Sequence, residues 1–166
     1  MITNRYYRFK KYNSIVTSGG AGTMGFALPA AFGAKVARPD REVIAIIGDG
    51  GFQMTLQELG TIAQSKLPVK IIILNNNFLG MVRQWQQLFF DNRYSFVELQ
   101  NPDFITIAKG FGIDGHKVEN RKDLPESLDK LLASDKPYLL EIVCEKEENV
   151  FPMVPAGATV TNVRLE

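Results

Sequence analysis

Two apolar segments that each end in a polar cluster constrain the fold of this 166-residue chain more than any other feature. The first covers residues 43–47 and runs into Gly48-Asp49-Gly50-Gly51, and the second covers residues 69–74 and runs into Asn75-Asn76-Asn77. Continuous apolar runs of this length are typical of strands that are buried on both faces. An apolar stripe over residues 56–65 predicts a helix between them. The sequence therefore predicts a βαβ unit with two parallel strands.

Strand and helix patterns alternate along the rest of the chain. They predict a short strand at 15–17, helices at 26–36, 81–89, 101–109 and 124–132, and a last strand at 137–144. Asn101 is the expected cap of its helix, with Pro102 at the first helical position. This alternation predicts an α/β fold of three layers, doubly wound around a mainly parallel sheet. The length fits a single domain over residues 1–166.

Composition argues against several classes of protein. A net charge of +1 gives no general attraction to nucleic acid, and the apolar runs fall far short of the roughly 20 residues that span a bilayer. Basic and aromatic residues interleave at 5–12 and could stack on single-stranded bases. Packing of that segment against polypeptide outside this chain is the favoured interpretation. We therefore expect neither a nucleic-acid partner nor a membrane.

Two single residues bear on location and chemistry. Cys144 is the only cysteine, so no internal disulfide can form and a cytoplasmic location is expected, an interpretation that the lack of a recognisable signal peptide supports. His116 is the only histidine and follows Gly115 in an expected loop. With no second histidine or cysteine nearby, it is interpreted as a surface residue.

The polar clusters of the βαβ unit are the candidate site. Both emerge at the carboxyl edge of the sheet, where open α/β sheets bind their ligands. One carboxylate from Asp49 and one amide oxygen from Asn76 would suit Mg²⁺, which takes few protein ligands and shares its shell with water and phosphate. Gly50 and Gly51 would let backbone N–H groups approach a phosphate at the start of the following helix. The alternative is two unrelated turns, which the combined spacing makes the weaker interpretation.

Two other phosphate-binding motifs do not fit. Neither glycine cluster is followed by the Lys-Ser/Thr pair of a Walker loop. Residues 20–25 match G-x-G-x-x-G, but the nearest acidic residue, Asp40, precedes the next strand instead of closing it. The dinucleotide-binding fingerprint is therefore incomplete.

Gly48-Asp49-Gly50, a spacer and Asn75-Asn76 together resemble the signature of thiamine-diphosphate enzymes. The resemblance implies that Asp49, Asn76 and the main-chain oxygen of Phe78 bind Mg²⁺, and that Met24 supports the cofactor in its bent shape. It implies a wider set of cofactor-binding residues: Gly22, Thr23, Met24, Gly48, Asp49, Gly50, Gly51, Asn76, Phe78, Leu79, Gly80 and Met81.

Further segments, at 17–20, 22–26, 80–86 and 151–157, resemble the C-terminal domain of the catalytic subunits of acetolactate (acetohydroxyacid) synthases. These enzymes condense pyruvate with a second 2-keto acid, with loss of CO₂, in the biosynthesis of isoleucine, valine and leucine. The resemblance implies that Trp85, with Met81, lines the substrate pocket and favours 2-ketobutyrate. Trp85 also fits the apolar stripe of its helix, so a place in the core is the alternative.

The family also has parts that are not found in this sequence. The resemblance places the catalytic glutamate on an N-terminal pyrimidine-binding domain and FAD on a middle domain, so no catalytic residue is expected here and FAD only in the full-length enzyme. We interpret the chain as one domain of a longer enzyme and expect it to be inactive alone. Implied partners are further catalytic subunits, in a homodimer or tetramer, and a possible small regulatory subunit.

Two alternatives to a synthase stay open from the sequence. The chain could be the separate β chain of a small 2-keto acid decarboxylase, although Arg83-Gln84-Trp85 argues against it. It could also be a cofactor-binding module without catalytic activity. The intact Asp49 and Asn76 argue against decay of the metal site but do not exclude a binding role.

Overall fold

The computed structural model describes residues 1–165 and contains one sheet of four parallel strands in the order β1-β2-β4-β3. The strands are β1 (Ile44–Gly48), β2 (Lys70–Asn75), β3 (Asp114–Val118) and β4 (Tyr138–Val143). The helices are α1 (Ile2–Tyr6), α2 (Ala27–Ala37), α3 (Asp49–Thr55), α4 (Glu58–Ser65), α5 (Gly80–Phe89), α6 (Phe104–Gly110) and α7 (Leu124–Ala133). Two 3₁₀ turns cover Gly19–Ala21 and Arg121–Asp123.

Helices cover both faces of the sheet, which confirms the predicted doubly wound α/β architecture. Helices α2, α3, α4 and α6 pack on one face, where apolar side chains of β1, β2 and β4 join them in the main core. On the other face, Leu131 of α7 packs against Tyr138 and Leu140 in a smaller core. Strand β2 is buried on both faces, as its continuous apolar sequence predicts.

The prediction that the strand at 43–47 is buried on both faces is wrong for β1. Its residues alternate between exposed and buried, and Ile44 and Ile46 keep 41% and 37% of their surface exposed. The reason is its place at the edge of the sheet, because the smaller core formed by α7 involves residues of β2, β3 and β4 but none of β1. One face of β1 is therefore apolar and open.

Two local predictions are also wrong, and one helix is additional. Residues 15–17 form no strand, because a run of three residues with β propensity has no partner strand here. The helix predicted at 56–65 is confirmed as α4, and a separate helix that the apolar stripe did not predict, α3, precedes it from Asp49. His116 lies in β3 instead of a loop, where pairing with β4 compensates for the weak strand propensity of residues 114–117.

The cap of α6 also differs from the expectation. The helix begins at Phe104, and Asp103 caps it by accepting a hydrogen bond from the backbone N–H of Thr106 at 2.9 Å. An acidic side chain at this position satisfies a free N–H group and suits the positive end of the helix. Asn101 is thereby released from the capping role that the sequence suggested.

The basic and aromatic segment at the start of the chain packs on the C-terminal segment, residues 145–165, of the same molecule. Arg5 donates a hydrogen bond to the Pro152 carbonyl at 2.8 Å, and the Tyr6 hydroxyl donates one to the Phe151 carbonyl at 2.9 Å. The segment nevertheless stays largely exposed, with no buried residue in α1, so the expected contact with polypeptide outside the chain stays a prediction. Among the described residues, no helix has the length and apolar character needed to cross a membrane.

The main core gives a direct test of the fold. Phe52 is fully buried and meets Phe104 edge to face, with ring centroids 5.4 Å apart. We expect Phe52→Ala to lower the free energy of unfolding by about 3–5 kcal/mol, because it leaves a cavity between α3 and α6. Met54→Ala, on the same helix but 56% exposed, should change it by less than about 0.5 kcal/mol. Chemical denaturation measures both, and equal losses would contradict this packing.

Candidate functional site

The polar ends of β1 and β2 lie side by side. Gly48 pairs with Leu74 in the parallel register, so Asp49 and Asn75 follow at the same edge of the sheet. This arrangement confirms the prediction that both polar clusters meet at the carboxyl edge. Asp49 is the first residue of α3 and is only 1% exposed.

The buried carboxylate of Asp49 is held by hydrogen bonds. The side-chain amide of Asn101 donates to Asp49 Oδ2 at 2.7 Å. Burial raises the pKa of the Asp49 carboxyl above its ordinary value, while the hydrogen bond from Asn101 and the backbone amides of Gly50 and Asn77 act to lower it. Burial thus disfavours the charged form, and a cation at this position would favour it.

The segment Asn75–Asn77 is fixed by its own side chains. Asn75 Oδ1 accepts a hydrogen bond from the backbone N–H of Asn77 at 3.0 Å, and Asn76 Oδ1 accepts one from that of Phe78 at 3.2 Å. Asn77 has a φ of +56°, a conformation that asparagine tolerates better than most residues. Asn75 also donates to the buried carboxylate of Glu141 on β4 at 2.7 Å. The three residues therefore form a rigid turn at the end of β2.

Residues 77–79 pair with residues 97–99 just beyond that turn. The Leu79 N–H donates to the Val97 carbonyl and the Leu99 N–H donates to the Asn77 carbonyl, both at 2.8 Å. The main-chain oxygen of Phe78 takes part in neither bond. Its predicted role as a metal ligand is therefore compatible with this pairing.

Gly50 is the point where three predicted cofactor residues meet. A Cβ atom added to Gly50 would lie 2.8 Å from Leu79 Cδ2, 3.0 Å from Met24 Cε and 3.1 Å from Leu99 Cδ1. Only a glycine leaves room for these side chains to close on the start of α3. The structure thus brings Met24 and Leu79 together as an apolar wall against Gly50, the residue that follows Asp49.

The other predicted cofactor residues lie around this centre at different depths. Gly51 is buried, and a Cβ on it would lie 3.2 Å from Ile47, whereas Gly48 is exposed. A Cβ on Gly80 would lie 3.4 Å from the Asn76 side-chain nitrogen, so α5 begins directly beside the turn. Gly22 and Thr23 are exposed, and Thr23 donates its backbone N–H to Ser18 instead of to either polar cluster.

Helix α5 buries two polar residues instead of its apolar stripe. Its buried residues are Arg83 and Gln84, whereas Met81 and Trp85 are half-buried and belong to neither core cluster. The Trp85 ring packs on Phe89, with centroids 5.0 Å apart. The interpretation of Trp85 as plain core is therefore weakened, and its predicted place in a substrate pocket stays a prediction.

Polar contacts with the C-terminal segment explain this orientation. Gln84 Oε1 accepts the backbone N–H of Val150 at 2.8 Å, and Gln84 Nε2 donates to the carbonyl of the same residue at 3.2 Å. The Arg83 guanidinium lies over the rings of Phe78 and Tyr94, at 5.5 and 5.1 Å from their centroids. A buried polar side chain is stable when its donors and acceptors are satisfied in this way.

The donor chemistry of the site suits a hard cation. Within residues 1–165, no group of three or more His, Cys, Asp or Glu side chains could hold a metal ion. A cation bound by Asp49 and Asn76 would depend on one carboxylate, amide and main-chain oxygens, and external ligands, a set that Mg²⁺ accepts. Cys144, just after β4, does not add a thiolate ligand. Burial, and then the negative charges of Asp49 and Glu145, raise the pKa of its thiol and so favour the neutral form.

Sequence reasoning missed the polar side chains whose hydrogen bonds fix the positions of the site residues and of helix α5. The sequence pattern predicts a helix cap for Asn101, indicates no role for Gln53 and marks Gln84 only as part of a motif. A partial signal existed for Asn101, since Asp103 is a second potential cap two residues later. The contacts themselves join residues 24 to 69 positions apart, which no local pattern reveals.

Known proteins are similar to this chain in sequence. Residues 1–142 match the family described as thiamine pyrophosphate enzyme, C-terminal TPP binding domain. The chain is 53% identical over 147 residues to acetolactate synthase isozyme 2 large subunit of Escherichia coli (strain K12), covering 88% of the chain and 27% of that protein. It is 46% identical over 158 residues to acetolactate synthase large subunit of Lactococcus lactis, covering 95% and 27%.

A solved structure is similar in fold as well. The thiamine diphosphate-dependent 4-hydroxybenzoylformate decarboxylase of Rhodococcus jostii RHA1 superposes with a TM-score of 0.73 at 37% identity, covering 78% of this chain and 24% of that one. The chain spans about a quarter of the length of these relatives. It belongs to the thiamine pyrophosphate enzymes, as their C-terminal, cofactor-binding domain.

Proposed function

We propose that this chain is the diphosphate- and Mg²⁺-binding domain of an acetolactate synthase. The observation that carries the proposal is the buried Asp49 carboxylate, which lies beside the Asn75–Asn77 turn at one edge of the sheet. Asp49, Asn76 and the main-chain oxygen of Phe78 are proposed to hold Mg²⁺ between protein and diphosphate. Bound thiamine diphosphate would supply a nucleophilic carbon and accept the electron pair left when a 2-keto acid loses CO₂.

The residues around the metal site are proposed to position the cofactor and to exclude water. Met24 and Leu79 converge on Gly50, so an aromatic ring could lie on an apolar surface while its charged end reaches Asp49. Half-buried Trp85 and Met81 on α5 are proposed to contact the substrate. Apolar walls with a few fixed polar groups are typical of cofactor sites.

The proposed substrates are pyruvate and a second 2-keto acid, either pyruvate or 2-ketobutyrate. The high identity to acetolactate synthase large subunits supports this choice over a small decarboxylase. Since the chain spans about a quarter of those relatives, we propose that the acid–base group, any FAD and the contacts of a dimer or tetramer come from polypeptide beyond these residues. A cytoplasmic location is also a proposal, since relatives from Aspergillus candidus and Schizosaccharomyces pombe are named mitochondrial.

Loss of the Asp49 charge tests the metal site. Removing a hydrogen-bond partner of a metal ligand typically weakens metal binding by roughly 10- to 100-fold. Asp49→Asn removes a proposed ligand itself, so we expect it to weaken Mg²⁺-dependent binding of thiamine diphosphate by more than this. The matched control is Asp129→Asn, at an exposed position on α7. Calorimetric titration with excess Mg²⁺ and with EDTA measures both variants. Equal affinity of Asp49→Asn and the control would refute the assignment.

The division of the active site gives a second prediction. We expect the pure 166-residue chain to bind the cofactor but to form no acetolactate from pyruvate. The carboxylates of Asp49, after β1, and Glu141, within β4, are both buried and held by asparagine amides, so neither is free to act as the acid–base group. A colorimetric assay for acetolactate measures this directly, and turnover by the pure chain would place that group within it.

The role of Trp85 gives a third prediction. In the complete enzyme, Trp85→Leu should lower the preference for 2-ketobutyrate over pyruvate as acceptor by about tenfold or more, because the lost contact involves one methylene in an apolar pocket. The control is Val82→Ala, an exposed position on the same helix. A competition assay with both keto acids gives the product ratio. An unchanged ratio with reduced stability would favour a purely structural role for Trp85.

A further inference from the structure

Asn101 occupies the centre of a hydrogen-bond network that links three parts of the site. Its side-chain nitrogen lies 2.7 Å from Asp49 Oδ2, 2.9 Å from Asn75 Oδ1 and 3.0 Å from Asn77 Oδ1. These oxygens belong to the start of α3, the end of β2 and the turn that follows. The segment between residue 99 and α6 brings Asn101 into the space between them.

The orientation of the Asn101 amide is fixed from the opposite side. Gln53, one helical turn after Asp49 on α3, donates its side-chain N–H to Asn101 Oδ1 at 2.7 Å. With its oxygen occupied in this way, the Asn101 amide must direct its two N–H donors toward Asp49 and the asparagines. The reversed orientation would set two oxygen acceptors, those of Asn101 and Asp49, against each other.

We infer that Asn101, oriented by Gln53, is a positioning residue that fixes the Asp49 carboxylate for the cation. Its two N–H donors are shared among three oxygens and hold the carboxylate, the end of β2 and the turn at a set separation. The inference depends on the proposed Mg²⁺ role of Asp49 and Asn76. A carboxylate that can rotate loses entropy when it binds an ion, whereas one that is already held does not. Asn101 needs no contact with cofactor or substrate for this role.

The energetic argument rests on how completely the network is satisfied. Asp49 is 1% exposed and Asn75 is 5% exposed, so water cannot readily replace the N–H groups of Asn101. Removing those donors deprives the buried Asp49 carboxylate of its side-chain hydrogen bond and leaves Asn75 Oδ1 with only the N–H of Asn77, which is costly and favours rearrangement of the turn. The turn contains Asn76 and continues directly into Phe78, so its movement displaces two of the three proposed ligands together.

The test compares four variants of the chain with the wild type: Asn101→Leu, Gln53→Leu, their combination, and the control Gln100→Ala, an exposed neighbour of Asn101. Titration with thiamine diphosphate in excess Mg²⁺ gives affinity, and thermal denaturation gives stability. We expect Asn101→Leu to weaken binding by about tenfold or more, Gln53→Leu to weaken it less, and the control to match the wild type.

The combined variant tests whether both residues act in one network. Its loss of affinity should stay close to that of Asn101→Leu alone, because Gln53 acts only through the amide of Asn101. Hydrogen exchange without metal provides a second readout, in which the backbone N–H groups of Asn77 and Leu99 should exchange faster in Asn101→Leu. If Asn101→Leu fails to fold, Gln53→Leu must still bind more weakly than Gln100→Ala.

Three results would overturn the inference. Unchanged affinity in folded Asn101→Leu, with only a lower melting temperature, would assign Asn101 a structural role while the proposed function stands. Losses that simply add in the combined variant would show that Gln53 and Asn101 act separately. No Mg²⁺-dependent binding by the wild-type chain would refute the proposed function, and this inference with it.

Discussion

A buried carboxylate at the end of β1 must be compensated, and much of the carboxyl edge of the sheet is organised around it. Removing the charge of Asp49 from water is unfavourable unless donors or a cation replace the lost hydration. Asn101 provides a donor from a segment 52 residues away, and the Asn75–Asn77 turn is held through the same amide. The geometry of the site therefore depends on one buried charge and on the hydrogen-bond donors that stabilise it.

The parts of the fold and of the site that the sequence could predict are those with a local pattern. The strand at 69–74, the helix stripe at 124–132 and the meeting of Asp49 with the asparagine cluster all follow from periodicity and from the parallel pairing of β1 and β2. Asn101 was misassigned because Asn-Pro-Asp contains two potential caps, and only tertiary contacts decide between them. Strand β3 was missed because pairing with β4, rather than the propensity of residues around His116, forms it.

Helix α5 shows how a distant segment can determine which face of a helix is available to a ligand. Periodicity alone assigns the stripe with Met81 and Trp85 to the core, but Gln84 pairs with Val150 almost as one backbone segment pairs with another. That pairing turns the polar side inward and leaves the indole half-buried. Changes in the C-terminal segment would therefore alter the orientation of the proposed pocket residues without touching them.

The open side of β1 has a consequence for the solution behaviour of the chain. In the described part of the molecule, β1 pairs only with β2, and Ile44 and Ile46 on one of its faces are partly exposed. An edge strand of this kind offers main-chain donors and acceptors together with an apolar surface, which is the combination that lets separate molecules join edge to edge. Concentrated solutions of the chain should therefore self-associate through β1, and a lysine in place of Ile46 would keep the molecules apart.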